Sequence, residues 1–382
     1  MKTINLPFIP KLKNNLKSTP QFIQVILGPR QVGKTTTILH YLKNEFNENE
    51  YLYVSAEKNL VSNSNWILEH WQAARLEKRL LVIDEIQKVE DWAEIIKKLW
   101  DEEKRRTNPI RCILLGSSSL KIQKGLTESL AGRFQLIPVF HWNFNESKES
   151  YKLKFEEFLK FGGYPGGYPL ISEQSDWINY VKHSIVEAVI DKDILSVHTV
   201  KSPALFKQAF ELLISYPAQE ISLTKLLGQL QDKGNTDLIK YYLTLYDGAF
   251  LIKTLEKYST KPLKRKSSSP KILPLCPAFY FLTIQSELTQ EDRGRTFELI
   301  VGAQLVRLEG ELFYWREKDY EVDFIFKKGK SLYAIEVKSG RKKSTKGLNI
   351  FLDKFPKAIP IIITPENYQK FEEDPLKFLD SL

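Results

Sequence analysis

The chain is poor in cysteine and has no long apolar run, and each shortage excludes a class of protein. Its two cysteines, Cys112 and Cys276, lie far apart in a sequence of 382 residues. They cannot form a disulfide framework and lack the close spacing of zinc ligands, as is usual in a reducing cytoplasm. No stretch approaches the ~18 apolar residues of a membrane span. The apolar stretch within residues 1–10 is too short for a secretory signal. We therefore expect a cytoplasmic protein without a membrane partner.

The charge balance is basic. Lysine and arginine number 56 against 47 aspartates and glutamates, which gives a net charge of +9 and a pI near 9.1. Such a charge permits nucleic-acid binding without demonstrating it. Hydrophobic residues make up 42% and charged residues 27% of the sequence, as in a soluble globular protein. The length suffices for about two or three domains.

A glycine-rich loop follows the apolar run at residues 22–27. It has the pattern G-x-x-x-x-G-K-T, a Walker A loop, in the predicted succession of strand, loop and helix. Such a loop binds phosphate through backbone amides, its lysine reaches the β- and γ-phosphates of ATP, and its threonine hydroxyl binds Mg²⁺. Its glycines permit backbone conformations that a side chain forbids and leave room for phosphate oxygens. The predicted nucleotide-binding residues here are Gly28, Pro29, Arg30, Gln31, Val32, Gly33, Lys34, Thr35 and Thr36.

A second apolar run, residues 80–83, ends in two acidic residues. The pattern is typical of a buried parallel strand that carries carboxylates to its C-terminal end. Asp84 is expected to hold Mg²⁺ through water, and Glu85 to orient and polarise the water that attacks ATP. The alternative is a solvated strand end that happens to be acidic. The position of the two acidic residues after a Walker A loop favours the catalytic role. ATP and Mg²⁺ are therefore the expected cofactors, with Thr35 and Asp84 as magnesium ligands.

Four motifs together resemble an AAA+ ATPase family of bacteria and archaea. They are Gly28–Thr35, the acidic pair followed by Ile86, Gln87 and Trp92, Gly116–Ser118, and Leu130–Arg133. Members of that family carry a helical and winged-helix middle region and a C-terminal region long described as of unknown function. The resemblance implies an ATPase core with a nucleotide-binding lid, and it supplies no cellular role.

The same resemblance assigns roles beyond the Walker motifs. The strand that begins at Arg111 is expected to end in a polar sensor that contacts the γ-phosphate or the attacking water, and the sequence leaves Ser117, Ser118 and Ser119 open. A serine cap on the following helix is the alternative. Arg133 lies where such proteins carry an arginine finger for a neighbouring subunit, which implies a homo-oligomeric ring. Its alternative role is that of a cation at a helix C-terminus.

A segment rich in glycine and proline at residues 161–169 is expected to turn the chain within the lid. In related ATPases a Gly-Gly-x-Pro turn lies near the adenine. The resemblance therefore implies that Gly163, Tyr164 and Pro165 line that side of the nucleotide, and a plain turn between helices is the alternative. The apolar pattern of residues 176–198 predicts a helix.

Residues 203–258 fit a winged helix, a fold that contacts either DNA or protein. Lys240 lies on its expected recognition helix, and residues 250–255 would form the wing. The following stretch, residues 257–271, holds six basic residues and no acidic one. Within it, Lys264, Arg265 and Lys266 are expected to contact DNA phosphates. The alternative is a flexible basic loop.

The C-terminal region carries acidic and basic residues in an order that resembles PD-(D/E)xK nucleases, including archaeal Holliday-junction resolvases. A helix is expected around Glu298, and strands around Asp323 and around Glu336 and Lys338. Alternation along a strand puts Glu336 and Lys338 on one face. Asp323 and Glu336 would share a Mg²⁺ near Glu298, and Lys338 would position or activate the hydrolytic water. The fold also survives as inactive scaffolds, so the sequence leaves cleavage activity open.

The expected fold class is α/β, in four parts. They are a P-loop AAA+ parallel sheet at residues 1–145, a helical lid at 146–200, a winged helix with its basic loop at 201–272, and an α/β restriction-endonuclease-like domain at 273–382. We expect an ATP-driven motor on branched or broken DNA, such as Holliday junctions, or on duplex DNA. One alternative is a signalling or defence switch whose winged helix contacts protein. Another is a DNA-binding ATPase with an inactive nuclease fold.

Overall fold

The computed structural model describes residues 6–57, 64–77, 79–117, 120–230, 235–261, 268–340 and 345–381. The chain divides into two compact units. The first comprises Met1–Phe140 and Ile185–Thr199, and the second comprises His141–Ser184 and Val200–Leu382. The four-part division at residues 145, 200 and 272 stays a prediction. Among the helices of the described ranges, none combines the length and apolar character needed to cross a membrane.

The first unit is built on a parallel sheet. Its strands are β1 Ile23–Gly28, β2 Tyr51–Ser55, β3 Leu80–Asp84, β4 Cys112–Ser117 and β5 Phe134–Pro138. Their order in the sheet is β2-β3-β4-β1-β5, and all neighbours are parallel. The α-helices of this part are Phe8–Lys17, Lys34–Glu45, Ser64–Leu76, Trp92–Glu103 and Leu120–Glu128. The predicted parallel α/β sheet is thereby confirmed.

The three apolar runs of the sequence are the central strands. Every position of β1, β3 and β4 is buried, as expected for a parallel sheet whose faces are covered. Parallel strands end at one edge of their sheet, and here β3, β4 and β1 are direct neighbours. Their ends therefore bring Asp84, Ser117 and Gly28 side by side, with Gly28 paired directly to Ser117.

The second unit combines helices with one larger sheet. Its α-helices are Phe144–Tyr151, Phe155–Phe161, Gln174–Asn179, Pro203–Ile214, Leu223–Gln229, Thr236–Gly248, Pro277–Ile284, Gln290–Val306, Lys346–Lys354, Pro365–Glu373 and Pro375–Asp380. Its strands are β6 Gln219–Glu220, β7 Ile252–Lys257, β8 Lys271–Pro274, β9 Glu311–Glu317, β10 Tyr320–Lys328, β11 Ser331–Val337 and β12 Ile359–Ile363. The sheet order is β12-β11-β10-β9-β7-β8-β6.

The helix predicted over residues 176–198 is correct in position but not regular. Its α-helical start at Gln174–Asn179 passes into π-helical hydrogen bonding at Tyr180–Glu187 and Val189–Leu195. Val181 and Ile190 are buried, as the apolar pattern predicts. The pattern does not distinguish the two helix types, because either one buries a single apolar side.

The described parts of residues 203–274 follow the order helix, strand, helix, helix, strand, strand. Strand β8 pairs antiparallel with both β6 and β7. The side chain of Ser222 caps the second of these helices and that of Asn235 caps the third. The wing expected at residues 250–255 overlaps strand β7, Ile252–Lys257. The identification of this segment as a winged helix stays a prediction.

One sheet joins this segment to the C-terminal strands. Strand β7 pairs parallel with β9, through Glu256 with Phe313 and Lys257 with Tyr314. The predicted boundary at residue 272 therefore falls within strand β8 of this sheet. Strands β9, β10 and β11 are antiparallel neighbours, and β12 lies parallel to β11. The β9–β10 register shifts between Val322 and Ile325, beside Asp323.

Candidate functional site

The glycine loop joins β1 to the helix that begins at Lys34. Gly33 has φ 87° and Gln31 has φ 56°, so the loop passes twice through the left-handed region. A Cβ at Gly33 would meet no neighbour, whereas a Cβ at Gly28 would clash with the carbonyl oxygen of Val139. Gly33 therefore has the left-handed backbone conformation expected of a glycine in this loop. Gly28 is instead required where the backbone after β5 approaches β1.

The ammonium group of Lys34 lies over the loop. Its Nζ donates hydrogen bonds to the carbonyl oxygens of Gly28, at 3.0 Å, and Pro29, at 2.5 Å. Burial lowers the pKa of Lys34 to about 8, although the carboxylates of Glu85 and Asp84 oppose the shift. A buried cation held among backbone carbonyls is well placed to bind the phosphates of ATP.

The side chain of Asp84 accepts hydrogen bonds from three groups. Its Oδ2 accepts hydrogen bonds from the hydroxyl of Thr35, at 2.8 Å, and from that of Tyr53, at 2.7 Å. Its Oδ1 accepts from the backbone amide of Glu85 at 2.9 Å. A hydroxyl and a carboxylate in contact are the oxygen ligands that Mg²⁺ prefers, so Thr35 and Asp84 fit the cation.

Sequence reasoning missed Tyr53 as a member of this site. Strand β2 lies next to β3, with Tyr53 opposite Val82 and Ser55 opposite Asp84. Burial, together with the hydrogen bond to Asp84, raises the pKa of the Tyr53 phenol, so this group remains a hydrogen-bond donor at neutral pH. An aromatic residue in the strand beside the acidic pair was the available signal. The sequence did not reveal which strands are neighbours.

Gln87 connects Glu85 to Ser117 at the end of β4. The side-chain amide of Gln87 donates to Oε2 of Glu85, at 2.6 Å, and to Oγ of Ser117, at 3.2 Å. Glu85 has φ 54°, a strained conformation for this residue type. Burial and the charge of Asp84 raise the pKa of Glu85. The described end of β4 thus brings Ser117 to the site, while Ser118 and Ser119 lie outside the described residues.

The side chain of Arg30 contacts the carboxylate of Asp193. Its guanidinium donates two hydrogen bonds of 2.5 Å to Asp193, which is 2% exposed. Of the other predicted contacts, Val32 is fully buried, and Gln31 and Thr36 are exposed. The contact of Arg30 with nucleotide stays a prediction. Asp193 was not predicted, because it follows the loop by 163 residues.

Two further predicted residues have identified partners. Arg133 forms a two-point ion pair with Asp101, at 2.7 and 2.8 Å. Tyr164 is 1% exposed, its hydroxyl lies 2.9 Å from Nε2 of His141, and its ring packs on Phe279. Pro165, also buried, begins a short helical turn. The arginine-finger and adenine-side roles stay predictions.

The four nuclease-like residues of the C-terminal region are brought together. Glu298, Asp323 and Glu336 line one cavity of about 480 Å³. The Nζ of Lys338 donates to Oε1 of Glu336 at 2.8 Å, as strand alternation predicts. Asp323 accepts a hydrogen bond of 2.7 Å from the backbone amide of Val337. The remaining residues that line the cavity are Pro217, Ala218, Gln219, Glu220, Arg295, Arg316 and Glu321.

The predicted DNA-binding residues have different outcomes. Lys240 is exposed on helix Thr236–Gly248 and forms an exposed ion pair with Asp237 at 3.0 Å. Lys264, Arg265 and Lys266 lie outside the described residues. Lys271, the last residue of the basic stretch, is fully buried in β8 and therefore does not belong to an exposed loop.

Three family models match parts of the chain. Residues 20–148 match an AAA domain. Residues 152–275 and 293–379 each match a model described as a domain of unknown function, DUF8612 and DUF4143 respectively. The AAA model contains the glycine loop, the acidic pair and Ser117.

Similar proteins occur in archaea and bacteria. The chain is 28% identical over 353 residues to an uncharacterized protein of Methanocaldococcus jannaschii, covering 84% of this chain and 76% of that protein. It is 21% identical to an uncharacterized protein of Haemophilus influenzae, covering 94% of this chain and 92% of the relative. A solved Walker-type ATPase of Pyrococcus abyssi is similar over 74% of this chain and 95% of its own, with 13% identity and a TM-score of 0.49. The family match and the loop geometry agree that residues 20–148 are an AAA domain with a P-loop ATPase core.

Proposed function

We propose that this protein hydrolyses ATP at its AAA domain and uses the energy to act on DNA. The observation that carries the first part is the set of hydrogen bonds at the edge of the parallel sheet. Thr35 contacts Asp84 at 2.8 Å, and Gln87 joins Glu85 to Ser117. Cation ligands, a general base and a γ-phosphate sensor are the parts that phosphoryl transfer to water requires.

Each group has one role in the proposed reaction. Lys34 binds the β- and γ-phosphates, and Thr35 with Asp84 holds Mg²⁺, which neutralises charge on the phosphates. Glu85 accepts a proton from the attacking water. Its pKa is raised by burial and by Asp84, which makes it a stronger base than an exposed glutamate. Ser117 contacts the γ-phosphate, and Gln87 couples its position to that of Glu85.

The test of hydrolysis is Glu85→Gln. The variant keeps the size and hydrogen bonding of the side chain but cannot take up the proton, so we expect a turnover about 10²–10⁴-fold lower. ATP binding should stay, whereas Lys34→Ala should weaken it. Phosphate release and nucleotide titration measure the two properties. Normal turnover by Glu85→Gln would show that another group is the base.

The DNA part of the proposal rests on the middle region. Its order of helix, strand, helix, helix, strand and strand supports a winged helix, in which Thr236–Gly248 would be the recognition helix. Lys240 is exposed on this helix. The basic stretch before β8 in the sequence, with Lys264, Arg265 and Lys266, adds positive charge to the middle region. Lysine-rich segments mainly neutralise phosphates, so we expect salt-dependent binding with little sequence preference.

A binding screen with duplex, single-stranded, forked and four-way DNA tests this part, with ATPase activity measured in parallel. Replacing Lys264, Arg265 and Lys266 by Ala should weaken binding to every DNA and flatten the salt dependence by about 0.9 per lost phosphate contact. The control variant replaces Lys328, Lys330 and Lys357 by Ala, which removes the same amount of positive charge elsewhere in the chain. ATPase without DNA should stay unchanged in both variants. Unaltered DNA affinity in the first variant would contradict the proposal.

A signalling or defence switch is the second candidate. Tyr241 on the same helix is 39% exposed, and Lys240 is paired with Asp237, so this surface also suits a protein partner. DNA-stimulated ATPase activity separates the two candidates, because a protein-contacting switch has no reason to respond to DNA.

The C-terminal region enters the proposal as a nuclease-like fold. Helix Gln290–Val306 and the antiparallel strands β9–β11 contribute residues to the cavity of Glu298, Asp323 and Glu336. Metal-dependent DNA cleavage that is lost in Lys338→Ala would support an active nuclease. The absence of cleavage would support a DNA-binding ATPase with an inactive nuclease fold.

A further inference from the structure

Three carboxylates of the C-terminal region lie close together. Glu298, Glu321 and Asp323 each offer an oxygen atom, and these atoms all lie within 4.8 Å of one another. The side chain of Glu298 is 15% exposed and that of Glu321 39% exposed, so water screens their mutual repulsion only in part. In a metal-dependent nuclease, a divalent cation would compensate such a cluster.

The chain itself supplies a cation at this position. The Nζ of Lys271 lies 2.7 Å from Oε1 of Glu298, 3.2 Å from Oε1 of Glu321 and 3.2 Å from the carbonyl oxygen of Asp323. An ammonium group has three hydrogen-bond donors, and these three oxygens satisfy them all. The Nζ also lies 5.1 Å from the ring centroid of Phe324, whose face favours a cation.

The backbone prevents Lys271 from leaving the cluster easily. It lies in β8, where it is paired with Glu220 on one side and Leu255 on the other. Its side chain is 1% exposed, so a different position would require opening of the sheet or of the packing around it. Its Nζ has three oxygen acceptors, two of them from carboxylates, which is a suitable environment for an ammonium group.

The carboxylates of Asp323, in the cluster, and of Glu336, in the same cavity, also have hydrogen-bond donors. Asp323 accepts from the amide of Val337, and Glu336 accepts from Lys338. Two lysines thus contact the acidic residues at which the nuclease pattern predicts metal. A divalent cation at the cluster would lie beside the buried ammonium of Lys271 and be repelled by it.

We propose that Lys271 replaces the divalent cation in the cluster of Glu298, Glu321 and Asp323, so that this nuclease-like site is metal-free. The residues present do not fit the magnesium site that Asp323 and Glu336 suggest in the sequence. The ammonium ties β8 to helix Gln290–Val306 and to β10, which makes the cluster a structural ion-pair site. This inference concerns only the C-terminal cluster and is independent of ATP hydrolysis and of DNA binding.

The test is Mn²⁺ binding to the full chain without nucleotide, measured by the electron paramagnetic resonance of free Mn²⁺ and by the thermal unfolding midpoint. Wild type and Glu298→Gln should bind the same amount of Mn²⁺ and show the same shift of the unfolding midpoint when Mn²⁺ is added, because the wild-type cluster binds none. Lys271→Met should bind one equivalent of Mn²⁺ and be stabilised by it, and the added substitution Asp323→Asn should abolish both effects. Lys330→Met, which removes an exposed lysine from the turn between β10 and β11, should behave as wild type.

Two results would overturn the proposal. One is wild-type binding of Mn²⁺ that is lost in Glu298→Gln, because the cluster then accepts a metal beside Lys271. The other is a folded Lys271→Met variant that binds no Mn²⁺, because the lysine then replaces nothing. If Lys271→Met does not fold, the comparison of wild type with Glu298→Gln decides alone. None of these measurements depends on ATPase activity or DNA affinity. A failure of the proposed function can therefore be distinguished from a failure of the proposal for Lys271.

Discussion

Lys34 contributes a buried ammonium to the predicted nucleotide site. Lys34 is 8% exposed, and its Nζ is held by the carbonyl oxygens of Gly28 and Pro29. Burial disfavours the charged form, which lowers the pKa of this lysine to about 8 in the protein without nucleotide. Phosphate groups of ATP favour the charged form, so binding should raise that pKa again.

This shift predicts that ATP affinity falls as the pH rises above about 8. The pKa of Lys34 is higher in the complex than in the free protein. Its contribution to affinity is therefore complete below the free value and is lost as the pH rises through the bound value. The loss should approach about tenfold per pH unit between the two values. Calorimetric titration in buffers of different ionisation enthalpy should detect proton uptake on binding in the same range.

The matched control is Lys34→Arg. A guanidinium group stays protonated over this range, so the affinity of the variant for ATP should not depend on pH there, even if it is weaker overall. A decline in Lys34→Arg as steep as that in wild type would assign the titration to another group.

At the scale of elements, an ion pair connects the glycine loop to the helical segment Val189–Leu195. Arg30 and Asp193 form it with two hydrogen bonds. The partners differ in burial, since the Arg30 side chain is 25% exposed and that of Asp193 is 2% exposed. The pair can therefore order the loop before nucleotide binds.

The difference in burial predicts unequal costs for removing either partner. Arg30→Met leaves a buried carboxylate without its cation and should lower stability by about 3–5 kcal/mol. Asp193→Asn leaves a guanidinium that water can reach and should cost less, about 1.5–3 kcal/mol. Denaturant unfolding without nucleotide, followed by a probe in the first unit, measures both. Equal costs, or the opposite order, would contradict this assignment of the buried charge.

At the scale of the whole molecule, Arg133 raises the question of assembly. Its side chain is 29% exposed and paired with Asp101, which is 39% exposed. We propose that Arg133 leaves this exposed pair to contact the γ-phosphate bound by a neighbouring subunit in a homo-oligomeric ring. An exposed ion pair contributes little stability, so breaking it on assembly is inexpensive.

Arg133→Ala should then lower turnover by about 10³–10⁵-fold while ATP binding stays. Asp101→Asn removes the same ion pair but keeps the arginine, and it should retain turnover. Light scattering during the assay reports the assembly state. Full turnover by a strictly monomeric preparation would contradict the arginine finger and leave Arg133 as a cation near a helix end.

The sequence predicted those parts of the fold and the site whose chemistry lies in short contiguous segments. Apolar runs correspond to β1, β3 and β4, and the residues just after or at their ends include Lys34, Asp84 and Ser117. A parallel strand delivers its C-terminal residues to one edge whatever the remaining chain does, so local pattern was sufficient there. The same holds for the face shared by Glu336 and Lys338, which follows from strand alternation alone.

Only the tertiary structure revealed partners contributed by distant segments. Tyr53 reaches Asp84 because β2 and β3 are neighbours, and Asp193 reaches Arg30 across 163 residues. Lys271, which looks in the sequence like the end of a basic loop, contacts Glu298 and Glu321 at separations of 27 and 50 residues. Composition assigns a lysine to the surface, because burying a lone charge is costly. The pairing of β8 holds Lys271 inside the protein, and the carboxylates around its ammonium group offset the cost of burying the charge. Both the strand pairing and the carboxylates come from distant segments, so a local sequence pattern does not contain them.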